Sequence, residues 1–294
     1  MDARRDSWLL AEGDPITEDL TAMRLLGGGE AYEAYLAFDE ITFSPVVVKV
    51  LRPGQVEDRS AQRGLRREVA ALARVNHPVV VRGLRHEYDG PRPHIVLEHI
   101  DGPRLSSLIR RYGPLQEAQY LPLAIDVASA LHYLGNVGHV HLDIKPSNII
   151  MGAPARLIDL SVARTLDAAA ELDHPIGTDA YMAPEQCAPS DGVRPGLASD
   201  VWGLGATLFE AVSGRTPFSD GDQDSRVPEE IWPQLVEEPR RLPDRVPDEL
   251  VKVVEAALDR EPANRPLPHE VAEALQPVLE RQPRGHLAGF RVRA

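Results

Sequence analysis

Lysine is nearly absent from these 294 residues: Lys49, Lys145 and Lys252 stand alone in a total of 32 Lys and Arg. With many Ala, Gly and Pro, this usage fits a GC-rich coding sequence, whose codons favour Arg. A lysine kept against that bias is expected where a compact, rotatable point charge is needed and Arg's planar fork would not serve. Cysteine is rarer still. Cys187 is the only one, which excludes an internal disulfide and suits a reducing compartment; it reads as a structural thiol. No apolar run approaches the ~20 residues needed to span a bilayer, and the start, MDARRDSWLLAEGDP, lacks the apolar core of a signal peptide. A cytoplasmic protein without a membrane span is therefore expected. Clustered basic residues are missing too. The net charge of −13 argues against nucleic-acid binding and reads mainly as a solubility device.

What is present is a chain too long for one small core, with 43% hydrophobic residues and a mixed-charge surface. One two-lobed domain or two domains are expected. Residues 1–16 are polar and show little pattern, so they read as an N-terminal extension. Residues 17–98 are taken as one lobe: from about Leu20 to Leu51 the text is strand-like (TAMRLL, YEAYLAF, VVVKVL), and VVVRGLRHEYDG (79–90) and HIVLEHI (94–100) read as two further strands. Between the third and fourth lies SAQRGLRREVAALARV (60–75), with Leu65, Val69, Leu72 and Val75 at helical spacing. This predicts a five-stranded sheet with one helix. After DGP (101–103) the pattern is mostly helical. One helix is expected over 115–134, with Pro122 inside it as a kink or a freed carbonyl. A buried helix is expected over 198–214, and amphipathic ones in PDELVKVVEAALD and PHEVAEALQPVLE. The junction near 98–102 should form a cleft. The helical part is taken as 99–280, followed by an Arg-rich tail, 281–294.

Three constellations carry chemistry. LLGGGEAYEAYLA (25–37) sets glycines between two strands, where backbone N–H groups can lie close over phosphates; alone it is a weak signal. Lys49 sits in a buried apolar strand and needs a partner, for which Glu68 on the next helix is placed. HLDIKPSN (141–148) and the later Asp159 bring together a carboxylate that can accept a hydroxyl proton, a lysine that can neutralise developing charge, and hard oxygen donors for Mg²⁺.

In order and spacing these elements resemble a eukaryotic-type serine/threonine protein kinase of the kind found in actinobacteria, over about residues 17–278. The family pattern of Gly-rich loop, strand Lys, helix Glu, H-R-D-x-x-x-x-N, D-F-G and A-P-E is matched by LGGGEAYEAY, Lys49, Glu68, HLDIKPSN, DLS (159–161) and APE (183–185). GTDAYMAPEQ, SDVWGLG with Asp200, and Arg265 as partner of Glu185 extend the match. The resemblance implies an α+β, bilobal fold: a small antiparallel β lobe with one main helix, and a larger helical lobe. It implies ATP with Mg²⁺ or Mn²⁺, a protein substrate bearing Ser or Thr, and a regulatory protein partner. Asp143 would be the base and Lys145 would contact the γ-phosphate. Asn148 and Asp159 would hold the metal. Lys49, held by Glu68, would contact the α- and β-phosphates, beside Leu26, Gly27, Gly28 and Gly29. Leu97 would be the gatekeeper, Glu98 and Ile100 would bind adenine through their backbones, and Ala34, Val47 and Ile150 would enclose the ring. Ala34 and Val47 look like an exchange of the family's large and small residues.

The chain departs from the pattern at three places. Leu142 replaces the catalytic-loop Arg that pairs with a phosphorylated activation segment, and between Asp159 and Gly177 the only hydroxyls are Ser161 and Thr165. Activity that does not need activation-loop phosphorylation is expected. Ser161 replaces a glycine able to take positive φ, which should restrict a flip to an inactive form. Tyr32 replaces the third glycine, and its ring would either shield the phosphates or block them. A pseudokinase acting as a nucleotide-binding scaffold is the main alternative. A small-molecule kinase is a weaker one, because the APE and SDVWGLG elements argue against it.

Overall fold

Alternation along β-strands explains the first third of the chain in the computed structural model, which describes residues 6–189 and 193–282. Strands β1 (Leu20–Gly28), β2 (Tyr32–Asp39) and β3 (Ser44–Leu51) precede helix α1 (Arg59–Arg74), then β4 (Gly83–Glu87) and β5 (His94–Glu98) follow. They form one antiparallel sheet in the order β1-β2-β3-β5-β4. Each strand sends alternate side chains to opposite faces. On one face Leu51, Ile95 and Leu97 join a core with Leu65 and Leu72 of α1. That helix starts where Asp58 accepts the Ala61 N–H (2.8 Å). On the other face Tyr35, Ala37, Val46, Val48, Val50 and Val96 make a second apolar cluster.

That second face needs a cover, and the N-terminal segment supplies it. Residues 6–16 are not a patternless extension. Trp8 and Leu10 pack on the cluster and Ile16 is part of it. The Trp8 indole donates to Leu51 O (2.7 Å), Gly54 N–H donates to Asp6 Oδ1 (2.6 Å), and Arg92 lies 4.9 Å over the Trp8 ring. The segment thus roofs apolar surface that would otherwise face water.

The strand read from Val79 begins only at Gly83. Val79, Val80 and Val81 are buried for another reason: Val80 pairs in parallel with Leu157, and Val81 N–H donates to Leu157 O (2.9 Å). These valines stitch the sheet to the helical part of the chain. Next come α2 (Leu105–Tyr112), α3 (Glu117–Asn136), β6 (His139–Val140), β7 (Ile149–Ile150), β8 (Arg156–Leu157), β9 (Arg164–Thr165) and α4 (Leu166–Ala170). The chain continues through α5 (Pro184–Cys187), α6 (Leu197–Ser213), α7 (Pro228–Ile231), α8 (Asp248–Ala257) and α9 (Pro268–Glu280). Helix α3 runs through Pro122 unbroken; the missing N–H simply leaves the Ala118 carbonyl without its helical donor. Helix α6 is buried from Ser199 to Phe209 and centres the larger core with α3 and α8. A buried fork–fork pair, Arg265 to Glu185 at 2.7 and 2.9 Å, ties α5 to the segment before α9. The fold is α+β and bilobal. Among the described residues no helix is long and apolar enough to cross a membrane. The Arg-rich tail expected at 281–294 lies outside the described residues from 283 onward.

Candidate active site

The sheet and the helical part meet at a cleft of about 520 Å³. Leu26, Gly27, Gly28, Gly29, Ala34, Val47 and Lys49 line it from the sheet. Leu97, Glu98 and Ile100 line the connection, and Lys145, Asn148, Ile150 and Asp159 the floor. Of the residues expected to be catalytic, to bind nucleotide or to hold metal, only Glu68 and Asp143 do not line it, and each bonds a residue that does. Small Ala34 and larger Val47 both reach the same space. A second cavity, about 480 Å³ against α3 and residues 151–155, holds one acid, Asp126, and none of the convergent charged groups.

Lys49 is the junction of the cleft. Its Nζ lies 2.7 and 2.8 Å from the Glu68 carboxylate and 2.9 Å from Asp159 Oδ1. Burial works against its charge, but Asp159 and Glu68 outweigh that and raise its pKa above the ordinary lysine range. Burial likewise pushes Asp159 up, and the Lys49 ammonium overrides it, holding the carboxyl below the usual range. Both groups are therefore charged at neutral pH. Asp159 takes φ +70° and Leu142 φ +62°, whereas Ser161 stays out of the left-handed region. Serine thus fits this conformation without strain, and its N–H donates to Asp159 Oδ1 (3.2 Å). Leu160 is buried in the same core as Leu65 and Leu72 of α1.

On the floor, a loop fixes the second group. Asp200 on α6 accepts the backbone N–H groups of His141 (2.7 Å) and Leu142 (2.6 Å). Burial pushes the Asp200 carboxyl up to about 7. The Asp143 carboxylate receives Asn148 Nδ2 (2.9 Å), Lys145 Nζ (2.7 Å) and the Thr178 hydroxyl (2.7 Å). Lys145 also donates to that hydroxyl (2.5 Å). An aliphatic O–H is thus already seated on Asp143 with an ammonium beside it. Gly177, at φ +127°, lets Thr178 reach in: a Cβ there would stand 2.9 Å from Leu142 O. Thr178 in this network, and Arg156 with Arg82 on the Glu98 carboxylate, carry no spacing signal in the sequence. Only the "GT" at 177–178 pointed to the former.

The residues fit a divalent ion in part. Asn148 spends its amide N–H₂ on the Asp143 carbonyl and carboxylate, which leaves its oxygen as the free acceptor. Asp159 is ionised, and its side chain is 35% exposed to the cleft. Among the described residues no group of three acidic, His or Cys side chains could hold a metal alone. Two oxygen donors that leave the remaining positions to phosphates and water are what Mg²⁺ takes.

Residues 20–275 match the protein kinase domain family. The chain is 32% identical over 251 residues to serine/threonine-protein kinase PknB of Mycolicibacterium smegmatis, covering 82% of this chain and 40% of that protein. It is 34% identical to serine/threonine-protein kinase PkaA of Streptomyces coelicolor (80% and 43%). It is 35% identical to the probable serine/threonine-protein kinase PkwA of Thermomonospora curvata (85% and 33%). The chain spans less than half the length of these relatives.

Proposed function

The chain belongs to the protein kinase family, and on that footing we propose that it transfers the γ-phosphoryl group of ATP to Ser or Thr hydroxyls of a protein substrate. Residues 17–98 form the lobe that covers the nucleotide and 99–280 the lobe that receives the substrate. The reading includes a cytoplasmic location and a regulatory protein partner. The observation that carries it is the intact Lys49–Glu68–Asp159 contact, which joins the two lobes through charges at 2.7–2.9 Å. Such a buried lysine is expensive unless its charge has work to do.

Phosphoryl transfer asks a protein for position and compensating charge more than for covalent chemistry. Lys49, oriented by Glu68, meets the α- and β-phosphates. Asn148 and Asp159 would hold Mg²⁺, which neutralises phosphate charge when bound. Asp143 orients the acceptor hydroxyl and takes its proton as the new P–O bond forms and the bond from the γ-phosphorus to the β,γ-bridging oxygen breaks, releasing ADP. Lys145 lies beside that hydroxyl and offsets negative charge on the transferred group. Adenine lies between Ala34, Val47 and Ile150, against the backbone of Glu98 and Ile100, with Leu97 behind.

Transfer does not depend on phosphorylation of the activation segment. Where a phosphate receptor would stand, Leu142 is buried in a cluster with Val140, Ala169 and Leu172, against Ile176 and Leu197. Gln186 Nε2 donates to both Leu142 O (2.9 Å) and Ile176 O (2.8 Å). The Thr165 hydroxyl, the segment's main phosphorylatable group, caps α4 by accepting Ala168 N–H (3.2 Å). The test is labelled ATP with Mg²⁺ or Mn²⁺ and a generic basic protein. Transfer should vanish in Asp143→Asn and persist in Thr165→Asn, which keeps a capping oxygen but cannot be phosphorylated. ATP binding with no transfer by the unmodified chain would instead make it a nucleotide-binding scaffold.

A further inference from the structure

Tyr32 and Gly64 are unusual residues that touch. Tyr32 opens β2, directly after the glycine-rich turn, whose Gly29 N–H donates to Tyr32 O (3.1 Å). Its ring lines the cleft on the side where Lys49 stands. It turns inward, with Lys49 Nζ 5.1 Å from the ring centroid. Burial, then the nearby Glu68, push its hydroxyl up to about 12, so it stays neutral beside that carboxylate. The ring packs against the main core. Gly64 lies inside α1, where glycine is poorer than alanine and calls for a reason. The reason is at hand: a Cβ on Gly64 would stand 3.1 Å from Tyr32 Oη. Glu68, the partner of Lys49, lies one turn further along the same helix.

We infer that Tyr32 is a positioning residue, a wedge seated on Gly64 that latches α1 inward and so keeps Glu68 on Lys49. This rests on the kinase reading for its consequence, though not for its geometry. An inward α1 is the catalytically competent arrangement because Lys49 is oriented by Glu68. Since the activation segment is pinned by apolar contacts, a latch between the glycine-rich turn and α1 completes a site assembled without a covalent switch. The rival role, a plug that keeps nucleotide out, predicts opposite effects of removing the ring.

The test uses the whole chain and the variants Tyr32→Phe, Tyr32→Ser, Gly64→Ala and Tyr32→Ser/Gly64→Ala. Amide hydrogen exchange is measured across α1 and, as an internal control, across α6. Tyr32→Ser should speed exchange in residues 59–74 by about tenfold and leave α6 unchanged, while Tyr32→Phe, which keeps the ring but loses the Oη facing Gly64, falls between Tyr32→Ser and the unmodified chain. Gly64→Ala should speed α1 exchange when Tyr32 is present and slow it when residue 32 is serine, where only helix propensity acts. In transfer assays Tyr32→Ser should lower kcat about tenfold with KM for ATP within about threefold. Unchanged α1 exchange in Tyr32→Ser overturns the latch, as does a gain in nucleotide affinity and rate. Because exchange needs no turnover, the two readings separate. The exchange pattern without any transfer supports the latch and removes the kinase; transfer with α1 unmoved does the reverse.

Discussion

Cutting Leu142 back to alanine should loosen the activation segment more than removing any hydroxyl in it. Leu142 is 2% exposed, and Leu142→Ala deletes three buried carbons. At about 0.8 kcal/mol per methylene the transfer loss is about 2.4 kcal/mol. The void left between Ala169, Leu172 and Ile176 adds to it, for a total of about 3 kcal/mol, within the usual range for buried leucines. The Leu142 backbone is held independently by Asp200 and Gln186, so the loss falls mainly on the segment that packs on the side chain. A local opening cost lowered by about 3 kcal/mol corresponds to roughly 100-fold faster amide exchange over residues 166–172. Leu142→Met, which conserves volume, should cost less than about 1.5 kcal/mol. The assay pairs native-state exchange protection with the rate of phosphate transfer, and both should fall in the order unmodified chain, Leu142→Met, Leu142→Ala. If Leu142→Ala moves neither by more than about twofold while Thr165→Asn cuts the rate tenfold or more, the segment is held by a modification and the apolar account is wrong.

Two further perturbations test the sheet. Asp39 is fully buried and takes Arg85 in a fork at 2.6 and 2.7 Å, which holds its carboxyl well below the usual range. The folded chain therefore releases this proton more readily than the unfolded one, so the pair stabilises fully above the unfolded value of about 4 and its contribution is lost as pH falls below it. Asp39→Asn should cost about 2 kcal/mol at pH 7, between the worth of an exposed and a buried pair. Urea midpoints of the variant and the unmodified chain should converge as pH falls below about 4; a gap that stays constant with pH would remove the ion pair as its cause. Trp8→Ala strips the roof from the second apolar cluster and the donor to Leu51 O, and should lower stability by about 2 kcal/mol. An unchanged thermal midpoint would mean that residues 6–16 do not cover the sheet in solution.

Legibility in the sequence followed the kind of constraint each residue is under. Strand alternation and helical stripes showed the five strands and α1 because water sorts side chains by face over many positions. Asp143, Lys145, Asn148 and Asp159 stood out because phosphoryl transfer demands those residue types at short spacing, and the cleft brings them together. Residues 6–16 did not stand out: Trp8, Leu10 and Ile16 have no period, and their meaning lies in the apolar face of β2 and β3 that they cover. Val79–Val81 misled for a related reason, since a buried valine run reads as a strand whether it pairs in a sheet or stitches two lobes. The direction of the Tyr32 ring is a single rotamer choice, and no pattern encodes one; only its contact with Gly64 gives that glycine a cause.

The segment 166–176 is held by apolar contacts that a search for hydroxyls passes over. LDAAAELDHPI looks like a switch with its phosphate site worn away, because the eye searches it for hydroxyls. Its apolar letters are the informative ones. Ala169, Leu172 and Ile176 converge on Leu142, so the segment meets the catalytic loop through apolar side chains. A charge pair that forms only after modification gives two states; an apolar contact that is always made gives one. Leu142 and the segment should therefore respond as a unit, and combining Leu142→Ala with Leu172→Ala should cost less than the sum of the two single changes, since each void removes contacts the other already lost.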